Sequence, residues 1–290
     1  MDDNDPMTRT TEAPSVDLAQ IIPDLSAYAS TTVRLHPRPG SPGPRDSHIG
    51  GPLLWPATES WPHCEAPDCD QYPGEDPGSP MVALAQLTAA DFPEIAFPEG
   101  ADLLQILWCV GYHCCSKHAP CRVVWRRAAE VTEILEAPPE PDLEGELPGF
   151  YETYIPRPCV LHPERLIEYP WLEDLPDDLK DRVRAWDRDT DLYEDLSTAP
   201  GFKIGGTVIH GSAPSGLTCV ACDAPATLLL QLDNGEGDGR WCAIEDRDLA
   251  YGTPEYEQAY TPTGMMVDVG PGGLFACSAD PEHPVLFYSQ

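Results

Sequence analysis

Thirty-four prolines in 290 residues, about one position in nine, limit this chain more than any other feature. Each proline fixes φ and removes a backbone N–H, so it interrupts helix interiors and central strands alike. The usual proline content is about 5%. Long helices must therefore be few, and extended segments joined by loops must carry the fold. The chain is long enough to bury a sizeable core in one large domain or two small ones.

Strand-like apolar runs stand between the prolines. They are "STTVRLHP", "PMVALAQL", "ADLLQILWCV" and "CRVVWRRAAEV" in the first half, and "VLHPERLIEYPW", "ATLLLQL", "RWCAIED" and "GGLFACS" later. "VDLAQIIPDLSAYA" reads as a short helix interrupted at Pro23. "LPDDLKDRVRAW" predicts another, with Pro176 near its start, acids in its first turn and Leu179, Val183 and Trp186 on one face. The fold class is α+β: strand-rich, with two pseudo-repeats packed as one globular unit and many irregular loops. The expected divisions are a disordered arm at 1–14, a first pseudo-repeat with its N-terminal helix and strand at 15–135, an acidic linker with strand and helix at 136–200, and a second pseudo-repeat at 201–290.

The repeat is read from an ordered series of matches. "IGG" at Ile49–Gly51 precedes Cys64 and Cys69, and then "PMVALAQL". "IGG" at Ile204–Gly206 precedes Cys219 and Cys222, and then "PATLLLQL". In each half a later apolar strand ends in a cysteine, Cys109 or Cys277, and a histidine follows, His113 or His283. Three thiolates and an imidazole suit tetrahedral zinc in a closed structural site. The expected ligand sets are Cys64, Cys69, Cys109 and His113 in the first half, and Cys219, Cys222, Cys277 and His283 in the second. Cys114 and His118 stand as rival fourth ligands in the first half, and Cys242 in the second. "CVAC" is a zinc-knuckle spacing, whereas "CEAPDC" is wider and less specific. The competing reading has the cysteines as buried core filling.

The formal charge is −32, from 49 acidic and 17 basic residues. Phosphate contacts need Lys and Arg, so direct nucleic-acid binding is disfavoured. A basic protein partner is the electrostatically sensible one. No stretch reaches the ~18 apolar residues of a membrane span, and the polar, acidic N-terminus is not a secretory signal, which makes the cytoplasm the expected compartment. Clustered cysteines in that compartment point to metal rather than disulfides. No Walker loop, nucleophile elbow or "HExxH" is present. "GPGG" at 270–273 reads as a tight turn. Trp55 and Trp61, set among prolines, read as cover for one end of the core, with a peptide-binding groove as the other reading.

The segments "IGGPLLWPATESWP", "PMVALAQL", "APGFKIGG", "LLLQLD" and "MMVDVGPGGLFAC" together resemble the YwqG-like family of bacterial proteins of unknown function, over roughly residues 45 to 290. That family is similar to the programmed-cell-death-2-like proteins and their yeast relatives, which escort a basic ribosomal protein, and it has been linked with toxin loci. The resemblance implies a cytosolic acidic protein-binding module, of escort or immunity type, facing a ribosomal protein or a toxin. It brings no catalytic residue set. At "KIGGTVIHGS" this chain lacks the "P-W" that usually follows the second Gly pair. The alternative function is a metal-assisted hydrolase or a thiol redox enzyme using Cys114, Cys115 and Cys121.

Overall fold

The computed structural model describes residues 9–65, 78–111, 121–143, 151–188, 190–209, 213–237, 239–267 and 270–289. Twelve strands are assigned among them: β1 (Ser30–Arg34), β2 (Arg38–Pro39), β3 (His48–Ile49), β4 (Val82–Thr88), β5 (Leu103–Trp108), β6 (Cys121–Arg126), β7 (Cys159–Val160), β8 (Glu164–Glu168), β9 (Lys203–Gly205), β10 (Ala226–Leu232), β11 (Gly272–Cys277) and β12 (Leu286–Ser289). They form two six-stranded antiparallel sheets, ordered β12-β11-β10-β9-β1-β8 and β2-β7-β3-β4-β5-β6. The helices are short, as the proline content requires: α1 (Leu18–Ile21), α2 (Asp177–Trp186), α3 (Leu192–Ser197) and α4 (Pro254–Tyr260). The α+β class read from the sequence is the class observed.

Local chemistry accounts for most boundaries. The Asp17 side chain caps α1, which gives way to a 3-10 turn at Pro23. In α2, Asp177 and Asp178 sit in the first turn and Leu179 and Val183 face inward, as the sequence predicts. Thr253 caps α4, and Pro254 occupies its first position. "RWCAIED" departs from expectation, being two 3-10 turns, Gly239–Trp241 and Ile244–Asp246. The reason is tertiary: the Trp241 carbonyl accepts from Arg34 Nη1 at 2.9 Å, and the Ile244 N–H donates to the Thr10 carbonyl at 2.8 Å.

The main core is shared by both sheets. Ile49, Leu84, Leu87, Leu104 and Ile106 of one meet Val33, Ile204, Leu230, Leu232 and Leu274 of the other. β5 is buried at every position, because its opposite face is covered as well. There Leu107 and Cys109 pack with Leu53, Trp55, Trp61, Cys64 and Met81. A separate small core joins Leu18 and Leu25 to Leu179, Val183, Tyr193 and Leu196.

The series β3-β4-β5-β6 and β9-β10-β11-β12 run in the same order in their two sheets. The β4–β5 register shifts between Ala83 and Ala85, and the β10–β11 register shifts between Leu228 and Leu230. The skipped residues, Leu84 and Leu229, each stand four positions after a proline, Pro80 or Pro225. Gln86 and Gln231 are both fully buried. The Gln86 amide accepts from the Leu54 N–H at 2.8 Å and donates to the carbonyls of Pro44 and Asp46 at 3.0 Å each. Gln231 accepts from the Ile209 N–H at 2.9 Å and donates to the carbonyls of Gly201 at 2.9 Å and Ala199 at 3.5 Å. His48 Nε2 donates to the Pro52 carbonyl at 3.1 Å, and Lys203 Nζ donates to the Thr207 carbonyl at 2.6 Å, each bridging to the residue four positions on. The Gly pair between is sterically required. A Cβ on Gly51 would lie 2.8 Å from His48 Nδ1, and one on Gly206, at φ +71, would lie 2.2 Å from Glu168 Oε2.

β1 binds the two parts of its sheet, pairing with β8 on one side and β9 on the other. It also leads into a buried charge cluster. His36, at φ +42, places Nδ1 2.9 Å from Glu236 Oε2 and Nε2 3.2 Å from Glu164 Oε2. Arg38 meets Asp246 at 2.5 Å. Arg34 donates to the Glu236 carbonyl at 2.6 Å and to Thr11 Oγ1 at 2.8 Å. Burial raises the Glu236 carboxyl, but His36, Arg34 and Arg38 outweigh it and hold the group below the usual carboxylate range. Among the described residues, no helix is long and apolar enough to cross a membrane.

Candidate metal centre

The second sheet series brings Cys219, Cys222, Cys277 and His283 together. One ligand atom from each lies within 4.8 Å of all the others, close enough to hold a metal ion. The loop before β10 is closed by a bridge between Thr218 and Pro225, and the Cys219 N–H donates to the Ala224 carbonyl at 2.8 Å. Asp223 takes the left-handed conformation, φ +58, that such a tight return needs. Within this loop the Ala221 N–H points at Cys219 Sγ, 3.4 Å away. On the neighbouring strand Cys277 pairs with Ala226, and the Ala279 N–H points at Cys277 Sγ, also at 3.4 Å. A one-turn loop then delivers His283, whose N–H donates to the Asp280 carbonyl at 3.1 Å.

Two of the interatomic spacings are close to those around a tetrahedral ion. A Zn–S bond of about 2.3 Å sets sulfurs about 3.8 Å apart in a regular tetrahedron. Here Cys222 Sγ and Cys277 Sγ are 3.4 Å apart, and Cys219 Sγ lies 3.6 Å from His283 Nδ1. His283 faces the cluster through Nδ1, while its Nε2 lies 3.6 Å from Asp280 Oδ2. At that distance the Asp280 carboxylate stands beside the distal nitrogen without a direct hydrogen bond to it. Cys219 and Cys277 are buried, whereas Cys222 is exposed.

Electrostatics favour a thiolate in this cluster. Burial raises the Cys277 thiol, but hydrogen bonds from His283, from the Ala279 and Asp280 N–H groups and from Cys222 bring it down to about 6. For Cys222 the Ala224 N–H favours the thiolate, but proton sharing with Cys277 and Cys219 leaves that thiol raised. The metal-ready form is three thiolates and a neutral imidazole with Nδ1 free to coordinate.

Of the first set, Cys64 and Cys109 are both buried in the cluster around Trp61 and Met81. Their backbone settings match the second set. The Cys64 N–H donates to the Ser79 carbonyl at 2.8 Å beside a bridge from His63 to Pro80, and the Gly111 N–H points at Cys109 Sγ at 3.4 Å. Cys69 and His113, with the rivals Cys114 and His118 and with Cys115, lie outside the described residues. Cys242, the rival in the second set, is otherwise engaged: it accepts from the Tyr260 hydroxyl at 2.9 Å and donates to the Ala243 carbonyl at 3.4 Å. Burial pushes the Cys121 thiol up to about 12, the opposite of a redox-active thiolate. Asp280 was not singled out from the sequence; its signal is the three-residue spacing to the histidine in "DPEH". No protein-family model matches the chain, and no curated protein matches it.

Proposed function

We propose that this chain is an acidic protein-binding module built from a duplicated unit and stiffened by structural zinc. The observation that carries the reading is the Cys219, Cys222, Cys277 and His283 cluster, which offers four protein donors close enough together to hold a metal ion. A catalytic zinc keeps one position for water. Four protein donors, two of them buried cysteines, therefore support a structural role over the metal-assisted hydrolase. The matched bulges, buried glutamines and Cys settings of the two strand series support the duplication. The equivalent placement of Cys64 and Cys109 supports a like role for thiols in the first half.

The charge of −32 supports a basic partner, a ribosomal protein or a toxin, as the YwqG-like resemblance implies. The test is capture of proteins by the immobilised, metal-loaded chain at about 50 mM and about 500 mM salt, spanning a several-fold change in screening. The expected result is a captured set dominated by basic proteins and lost at high salt. An empty column at low salt, or capture indifferent to salt, overturns the charge-driven reading.

A further inference from the structure

We infer that the groove between the outer face of β4 and the 132–143 segment is the docking site for an apolar, cation-bearing peptide stretch of that basic partner. The inference rests on the binding-module reading and adds a place and a chemistry to it. The groove encloses about 910 Å³, near the upper end of the ~300–1,000 Å³ of ligand sites. Its floor is Leu53, Trp61 and Met81, held rigid because Trp61 Nε1 donates to the Met81 carbonyl at 2.7 Å and Trp61 packs 5.2 Å from Trp55. Its outer wall, Ile134 to Leu143, is pinned at one end: Ile134 bridges to Pro56, and the Leu135 N–H donates to the Trp55 carbonyl at 2.9 Å. The floor and the near end of the wall are thus preformed, which spares a ligand the cost of ordering them.

The lining chemistry selects the occupant. Six of the twenty described lining residues are prolines, which offer a carbonyl acceptor and no N–H donor. Among the described residues, the charged ones lining the groove are Glu136 and Glu140, both exposed, with no Lys, Arg or His. The polar groups are therefore rich in acceptors and negative in charge, above an apolar and aromatic floor. An Arg or Lys side chain flanked by bulky apolar residues satisfies both halves of that surface, because its stem packs while its head reaches the carboxylates. An anionic amphiphile such as a fatty acid would meet two carboxylates and, among the described residues, no cation.

Fluorescence anisotropy with the full, metal-loaded chain tests this at about 150 mM salt, where exposed charges beyond about 8 Å are screened. The probes are a labelled peptide of alternating Arg and Leu and a charge-matched peptide of alternating Arg and Ser. The expected result is ~10-fold tighter binding of the Arg/Leu peptide, since apolar anchors in a desolvated pocket carry most of such energies. Leu135→Arg should weaken it by a similar factor. The double variant Glu136→Gln with Glu140→Gln changes only exposed side chains, so it folds, and it should weaken binding several-fold. Equal affinity for the two peptides, or no effect of the double variant, overturns the groove. Salt-sensitive binding of both peptides in that case leaves the acidic module standing. Failure of both peptides to bind at low salt removes both readings. Displacement of the peptide by a simple alkylammonium ion at equal concentration assigns the groove to a small cation and overturns the peptide assignment.

Discussion

His48 should act as an internal acid sensor of stability, with a size set by its burial. Its side chain is completely buried at the start of the first Gly pair. Nδ1 accepts from the Gly51 N–H and Nε2 donates to the Pro52 carbonyl, a tautomer that fills both nitrogens of a neutral ring. Burial drives the imidazole down from 6.5 to about 4, against the smaller pull of the Pro52 hydrogen bond and of Asp46. The unfolded chain binds a proton near 6.5 while the folded chain resists it until about 4. Stability from this group is therefore intact at neutral pH and is lost as pH falls through that window. The full loss is about 3 kcal/mol, at 1.36 kcal/mol per pH unit. Between pH 7 and pH 5 it is about 2 kcal/mol, and stopping there avoids the isoelectric point near 4.2. Urea unfolding of wild type and His48→Gln at pH 7, 6 and 5 checks this. Glutamine can keep both hydrogen bonds and cannot titrate, and acid loss of metal affects both proteins equally. The stability gap should change by about 2 kcal/mol in favour of the variant as pH falls. Parallel curves would refute the reasoning.

The buried glutamines should be matched weak points. Gln231→Leu strands the Ile209 N–H and the Gly201 carbonyl, and Gln86→Leu strands the Leu54 N–H with the Pro44 and Asp46 carbonyls. Each substitution should cost about 2–4 kcal/mol in urea unfolding, and a cost below about 1 kcal/mol in either would break the equivalence. Cys159 is buried and its thiol is pushed up to about 12 by burial, so in the native protein at pH 8 it should not react with an aromatic disulfide reagent until denaturant is added. Its raised value gives stability that is complete below an unfolded thiol value near 9 and is lost toward about 12, so Cys159→Ala should flatten the alkaline limb of the stability curve.

What the sequence revealed follows the range of the interactions. The apolar runs of β4, β5, β10 and β11 and the acid-started α2 depend on neighbours within one turn or one strand, and they were legible. Cys219, Cys222, Cys277 and His283 span 64 positions, yet comparison of the two halves groups the four residues that the fold brings together. The buried cluster around His36 left no trace in the sequence, because His36 and Glu236 are 200 positions apart and neither stands in a motif. β1 is legible as a strand in "STTVRLHP", but its pairing with β8 and β9 is not, because both lie far along the chain. "RWCAIED" departs from a strand because its backbone bonds to the Arg34 side chain and to Thr10 rather than to a neighbouring strand. The Trp61 groove was visible only as one of two readings, since the wall that makes it a groove is a proline-rich segment seventy-odd residues downstream.

The most direct test is zinc content by mass spectrometry on the purified chain, with thiol titration before and after a chelator. The expected result is zinc in the wild-type protein, shielded thiols until chelation, and one fewer zinc per chain in both Cys222→Ser and Cys277→Ser. A metal-free wild type with every exposed thiol titrating at once, or a zinc content unchanged by both substitutions, would contradict it.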